Sequence, residues 1–220
     1  MTTITGGPAH ASTNDLELSW SFAFTPGAGM TVHYELKNLA TTDLYVLDRL
    51  WQMGAPGPTK IDPDMVYRFE RSGSLRLLLG EAPLPHSSAT FSNTPHATLL
   101  PPGGVRRHTL AVMAPIKEHT AYFNCADPSG QESRSVDRIN LMVQYVLGGP
   151  GFKAHEAQED PTAIDIDENA GVMAKAKMLV SELPCPGLQV LRCKDDNFTR
   201  ATLPGEAPEP FYQKPPKSTP

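Results

Sequence analysis

The residues best suited to chemistry or recognition are Asp48, Arg49 and Trp51, which fall within four positions of one another. Arginine offers bidentate hydrogen bonding and tryptophan a broad apolar face, so the three are a speculative binding surface. The competing reading is packing, with Trp51 as a core anchor and Asp48 paired to an arginine of a neighbouring strand. His86, His96, His108 and His119 lie in one region of the chain and could meet in space as metal ligands or general bases. No two of them have the His-x-x-x-His spacing of a metal site, and His155-Glu156 lacks the second histidine of a zinc protease helix, so surface histidines are the plainer reading. Asp165, Asp167 and Asn169 alternate like the start of a calcium loop. The sixth position is Ala170 where an EF-hand needs glycine, and the twelfth is Ala176 where it needs a bidentate glutamate, so a solvated acidic loop is expected.

Cys185 and Cys193 flank Pro186 and Gly187; they can stay as thiols, form a local disulfide, or bind metal with a third ligand. Without a Cys-x-x-Cys partner, two ordinary thiols are expected. There is no Gly-x-Ser-x-Gly elbow, no phosphate-binding loop and no dinucleotide fingerprint. No catalytic residue, cofactor site or metal ligand is therefore assigned.

The elements that must position these residues show the period of half-buried strands. Leu16, Leu18, Trp20, Phe22 and Phe24 share one face of residues 16–24, and Met30, Val32, Tyr34 and Leu36 one face of the next run. In the third run Leu44, Val46 and Leu50 oppose Tyr45, Leu47 and Trp51, which is the pattern of a central or doubly covered strand. Further strands are expected at 65–70 and 75–79, joined by a turn at Ser72-Gly73-Ser74, and at 105–113 and 136–147. The last carries Ile139, Leu141, Val143, Tyr145 and Leu147 on one face. About seven strands with turns between them predict an all-β, antiparallel β-sandwich over residues 15–148.

Around that domain, residues 1–14 read as a flexible arm of threonine, glycine, alanine and serine. Residues 149–203 are a C-terminal extension packed on the sandwich. Within it, 169–183 predict a short helix with Val172, Ala176, Leu179 and Leu183 on one face and Pro184 as its stop. The alternative there is a strand with Lys175 and Lys177 facing water. Residues 204–220 hold six prolines and read as a Pro-rich tail.

The block at residues 32–47 resembles the B-to-C strand region of bacterial immunoglobulin-like and fibronectin type III-like domains: a strand ending in Asn38, a polar turn, and an apolar strand returning from Leu44. The Leu-Pro-Pro-Gly-Gly run before Val105 resembles the lead into a later strand of the same domains. The resemblance covers roughly residues 15–148 and implies an immunoglobulin-like β-sandwich used for binding or scaffolding. The cysteine pair of antibody domains is absent.

Composition narrows the function classes. The 220 residues carry a net charge of −5, which gives no electrostatic case for nucleic acid. No apolar run reaches the length of a membrane span, and the first residues do not read as a secretory signal. Three cysteines fit a reduced cytoplasmic protein better than a disulfide scaffold. The expectation is a non-enzymatic binding or assembly protein without a cofactor, with a protein partner or self-association. The alternatives are a hydrolase whose histidines and carboxylates meet only in the fold, and an oligomeric structural subunit.

Overall fold

The computed structural model describes residues 2–54, 57–84, 95–120, 122, 128–158, 160–167, 173–194 and 199–207. Among them the chain forms β1 (Ile4–Ser12), β2 (Leu16–Thr25), β3 (Gly29–Asn38), β4 (Leu44–Gly54), β5 (Gly57–Asp62), β6 (Tyr67–Arg71) and β7 (Ser74–Leu79). There follow β8 (His96–Leu100), β9 (Val105–Met113), β10 (Gln131–Leu147), β11 (Ala154–Glu156), β12 (Ile164–Ile166) and β13 (Lys177–Cys193). No helix among the described residues is long and apolar enough to cross a membrane.

Two sheets result. The first has the order β1-β2-β3-β9 and is antiparallel throughout. The second runs β11-β12-β8-β4-β10-β7-β6, with β13 paired to β10 and β5 to β4. One pair departs from the expected antiparallel pattern: β7 and β10 run parallel from Arg138↔Ser74 to Val143↔Leu79. The alternating apolar faces meet between the sheets, where Leu18, Trp20, Val32 and Leu110 of the first join Val46, Leu77, Leu141 and Tyr145 of the second. At the crossover from β3 to β4, the buried Asn38 side chain donates to the carbonyls of Thr42 and Leu100 at 2.9 and 2.8 Å and accepts the Ala40 N–H at 2.8 Å. Ser72 and Gly73 both have positive φ, 54° and 73°, in the two-residue hairpin between β6 and β7. That is the turn geometry whose twist matches paired strands.

The second sheet is covered on both faces. Leu75, Leu77 and Leu79 of β7 enter the inter-sheet core, while Leu78 packs outside with Tyr67, Phe69, Met142 and Ala201. A third cluster, Leu47, Ala97, Val146 and Ile166, covers the β4–β8 end. This accounts for the two-sided apolar pattern of β4. A bulge between Val46 and Arg49 changes its phase, and Leu50 joins the outer cluster instead of following Leu44 and Val46 inward.

Three expectations need correction. Residues 4–12 are not an arm: they form an edge strand hydrogen-bonded to β2. Gly6, which reads as flexibility, lies where an added Cβ would meet the Phe22 ring at 2.4 Å, so it marks a close approach. The expected helix is not formed over its described part. Met173–Lys175 is one 3-10 turn, residues 177–193 are strand, and 168–172 lie outside the described residues. Leu179 and Leu183 are four apart, a spacing that fits one helical face and one strand face alike. The ladder with β10 selects the strand, burying Leu179, Ser181, Leu183 and Cys185. Finally, residue 148 does not bound the folded unit, because β10 makes its longest pairing, Gln131↔Cys193 to Tyr145↔Lys177, with β13.

Leu141 is fully buried and Lys37 is exposed. Leu141→Ala is expected to cost about 2–5 kcal/mol and Lys37→Ala about 0.5 kcal/mol or less in urea unfolding. Equal losses would contradict the face assignment.

Candidate functional site

The edge strand β9 lays Arg106, His108, Leu110 and Val112 on its inward side. Leu110 and Val112 complete the apolar core. Arg106 and His108 instead meet polar groups of the second sheet, forming a polar seam between the sheets. In it, Arg106 Nε lies 2.8 Å from Asp48 Oδ2, the Asp48 side chain being fully buried. Tyr34 OH donates to Asp48 Oδ2 at 3.4 Å, and Thr98 Oγ1 donates to Oδ1 at 2.7 Å. Arg49 Nε in turn donates to Thr98 Oγ1 at 3.1 Å. Burial, then the Asp48 charge, raises the Tyr34 pKa and keeps the phenol a neutral donor. Burial alone would lower the Arg106 pKa; Asp48 and Tyr34 outweigh it and raise it.

Asp48 thus bridges the two sheets, its buried carboxylate engaged by Arg106, Tyr34 and Thr98. Arg49 is nearly buried, and Trp51 packs edge-to-face on His96 with ring centroids 5.0 Å apart. Asp48 does pair with an arginine, but Arg106 lies on β9 of the opposite sheet and not on a strand neighbouring β4.

Further along the seam lies an open cleft of about 620 Å³. Asp62 at the end of β5, Asp64 from the β5–β6 link, Arg68 of β6, the end of β9, and Lys117, Glu118 and His119 line it. The segment after Pro115 is extended, burying Ile116, Glu118 and Thr120 and leaving Lys117 and His119 partly exposed. It is held against β6 by two backbone bonds, Arg68 N–H to His119 O at 2.8 Å and His119 N–H to Arg68 O at 2.9 Å. Glu118 fixes it from behind. Its carboxylate accepts Arg200 Nε and Nη2 at 2.8 and 3.1 Å, and the Glu70 and Cys193 N–H groups, each at 2.8 Å.

Arg68 donates Nε to the Lys117 carbonyl at 3.0 Å and Nη1 to the Val66 carbonyl at 3.1 Å. Burial lowers its pKa to about 10. Burial, and secondly the Arg68 charge, brings His119 down to about 4, so its imidazole is neutral at neutral pH. At the rim His108 Nε2 stands 3.1 Å from Asp64 Oδ1.

The remaining sequence candidates stay apart. His96 sits against Trp51, His108 against Asp64 and His119 beside Arg68; His86 lies outside the described residues. Among the described residues no three histidines, cysteines or carboxylates converge as a metal site. Asp165 pairs with His155 across the β11–β12 hairpin at 3.3 Å; Asn169 and Ala170 of the expected loop lie outside the described residues, and among the described ones only the 3-10 turn Met173–Lys175 precedes β13. Cys185 and Cys193 are buried free thiols, with burial raising Cys185 to about 11. The residues that sequence reasoning passed over are Arg68, Lys117, Glu118 and Arg200, whereas His119 was already among the histidine candidates. The one local signal was the alternation of Ile116, Glu118 and Thr120 with Lys117 and His119.

Glu118→Ala leaves a buried guanidinium unpaired and is expected to cost about 3–5 kcal/mol in chemical denaturation. His119 has a folded pKa below its unfolded value of 6.5. Its contribution to stability is fully present above pH 6.5 and is lost as pH falls toward about 4. Urea midpoints at pH 7 and pH 4.5 are expected to differ less in His119→Gln than in the parent protein; equal differences would show that His119 does not carry this dependence.

No family model, curated protein or solved structure matches this chain.

Proposed function

We propose that this chain is a non-enzymatic binding protein whose ligand seat is the cleft beneath the end of β9. The observation that carries the reading is the meeting of Arg68, Lys117 and His119, from segments about fifty residues apart, at the wall of one open cleft. The other buried acidic groups are committed to structure: Asp48 to Arg106, Glu70 to Arg192, and Glu118 to Arg200. The resemblance of residues 15–148 to immunoglobulin-like and fibronectin type III-like domains supports a binding role, although such folds host many functions. Buried free Cys185 and Cys193 support a cytoplasmic, reducing setting.

A hydrolase is the second reading, favoured by the His108–Asp64 pair at the rim of the same cleft. A fragment screen by amide NMR separates the two when run beside an ester, phosphoester and glycoside turnover assay. Binding is expected to move resonances of Arg68, Lys117 and His119 without turnover. Turnover that disappears in His108→Gln would favour the hydrolase, and hits scattered away from the cleft would remove it as the ligand seat.

A further inference from the structure

Arg49 and Arg68 are the two described arginines that form no ion pair with a described carboxylate. Arg71 and Arg76 face Glu206, Arg106 faces Asp48, and Arg107 faces Glu35. Arg134 pairs with Glu132, Arg138 with Glu182, Arg192 with Glu70, and Arg200 with Glu118. Arg49 reaches a carboxylate only through a hydroxyl, donating to Thr98 Oγ1, which in turn donates to Asp48. Arg68 has backbone carbonyls as its hydrogen-bond acceptors and no carboxylate partner among the described residues. A partly buried cation with no counter-ion is electrostatically incomplete, because carbonyl dipoles replace lost hydration without neutralising the charge.

The neighbouring charges do not complete it. Asp62 Oδ1 accepts the Asp64 N–H at 3.0 Å. Asp64 is turned to His108. Glu118 is engaged by Arg200 and two backbone amides. Lys117, whose carbonyl Arg68 holds, forms no ion pair with a described carboxylate and adds a second cation to the wall. His119, also on that wall, is neutral near pH 7 and offers one N–H.

We infer that the cleft binds an oxyanion, a carboxylate or phosphate group, seated against Arg68 with Lys117 as the second cation and His119 beside it. This rests on the cleft being the ligand seat and names the chemical class that seat takes. Guanidinium geometry suits either oxyanion. Both source groups are small enough for the cleft, whose volume is about 620 Å³. Asp62 and Asp64 in the cleft lining disfavour a highly charged polyanion and favour a single anionic group.

The test is a titration of the full chain at low ionic strength with inorganic phosphate and, separately, succinate, with sodium chloride at matched ionic strength as control. Calorimetry reads affinity, and the His119 ring signals in NMR read its titration midpoint. An anion seated there offsets the Arg68 charge, so the His119 midpoint is expected to rise from about 4 toward the ordinary 6.5. Lys117→Gln, which leaves the Arg68 bonds to the backbone intact, is expected to weaken binding about tenfold, as one lost charge-assisted contact. Arg68→Lys keeps the charge without the fork and is expected to weaken it as well. A response to phosphate alone, or to succinate alone, supports the inference and identifies the oxyanion. Shifts that chloride reproduces would show screening and overturn it. If neutral fragments occupy the cleft while neither oxyanion does, the oxyanion class falls and the ligand seat stands; if nothing occupies the cleft, both fall.

Discussion

The carboxylate of Glu118 is the interaction on which most of the second sheet's outer half depends. Four donors converge on it, two from Arg200 and one each from the backbones of Glu70 and Cys193. These come from the C-terminal segment, β6 and β13, so one buried charge joins three stretches distant in sequence. Burying a carboxylate costs several kcal/mol even after relaxation, and an arginine fork plus two amides is the kind of satisfaction that offsets it. Arg200 also donates to the Cys193 carbonyl at 2.7 Å, which closes the network on β13. The same anchor sets where Lys117 and His119 emerge, so the cleft inherits its geometry from a structural ion pair.

A second pair does similar work nearby. Arg76, buried on the outer face of β7, holds Glu206 bidentately at 2.7 and 2.9 Å and also donates to the Ala201 carbonyl. The Arg76 hydrogen bonds are the main cause holding the Glu206 carboxyl down to about 2, well below its usual range. Ala201 and Leu203 then pack on Tyr67, Phe69, Leu78 and Met142. Apolar burial supplies the attraction for this strap and the two arginine–carboxylate forks define where it lies. A sheet that would otherwise expose one apolar face is thereby closed on both sides.

The seam along β9 shows the division between structural and available charge. Asp48 and Arg106 neutralise each other between the two sheets, and Tyr34 and Thr98 complete the Asp48 hydrogen bonds. Farther along, residues between Asp62 and Arg68 and the segment after Pro115 line the cleft. There Arg68 is desolvated without such a partner; burial lowers its pKa, and burial first and the Arg68 charge second lower that of His119. Binding at this position uses a field already built into the fold.

The sequence by itself determined the strands of the inter-sheet core. Alternation at Leu16, Leu18, Trp20 and Phe22, or at Ile139, Leu141, Val143 and Tyr145, admits one face for the core, because a one-residue slip would expose every large side chain. The β6–β7 hairpin was legible too, since Ser72-Gly73 accepts the positive φ that the turn needs. Tertiary structure decided the rest. Residues 177–183 have a spacing that serves helix and strand alike, and β10 supplied the partner that made them strand. Residues 4–12 are mostly small, and only Ile4, Ala9 and Ala11 pack against the core, so their order rests largely on backbone bonds to β2, which the side-chain pattern does not announce. Asp48, Arg49 and Trp51 are neighbours in sequence, yet they part toward the other sheet, Thr98 and His96 because a bulge interrupts β4. The candidate site was the least legible part. Arg68, Lys117 and His119 acquire their role from burial and from the partners they lack, and both are properties of three-dimensional placement.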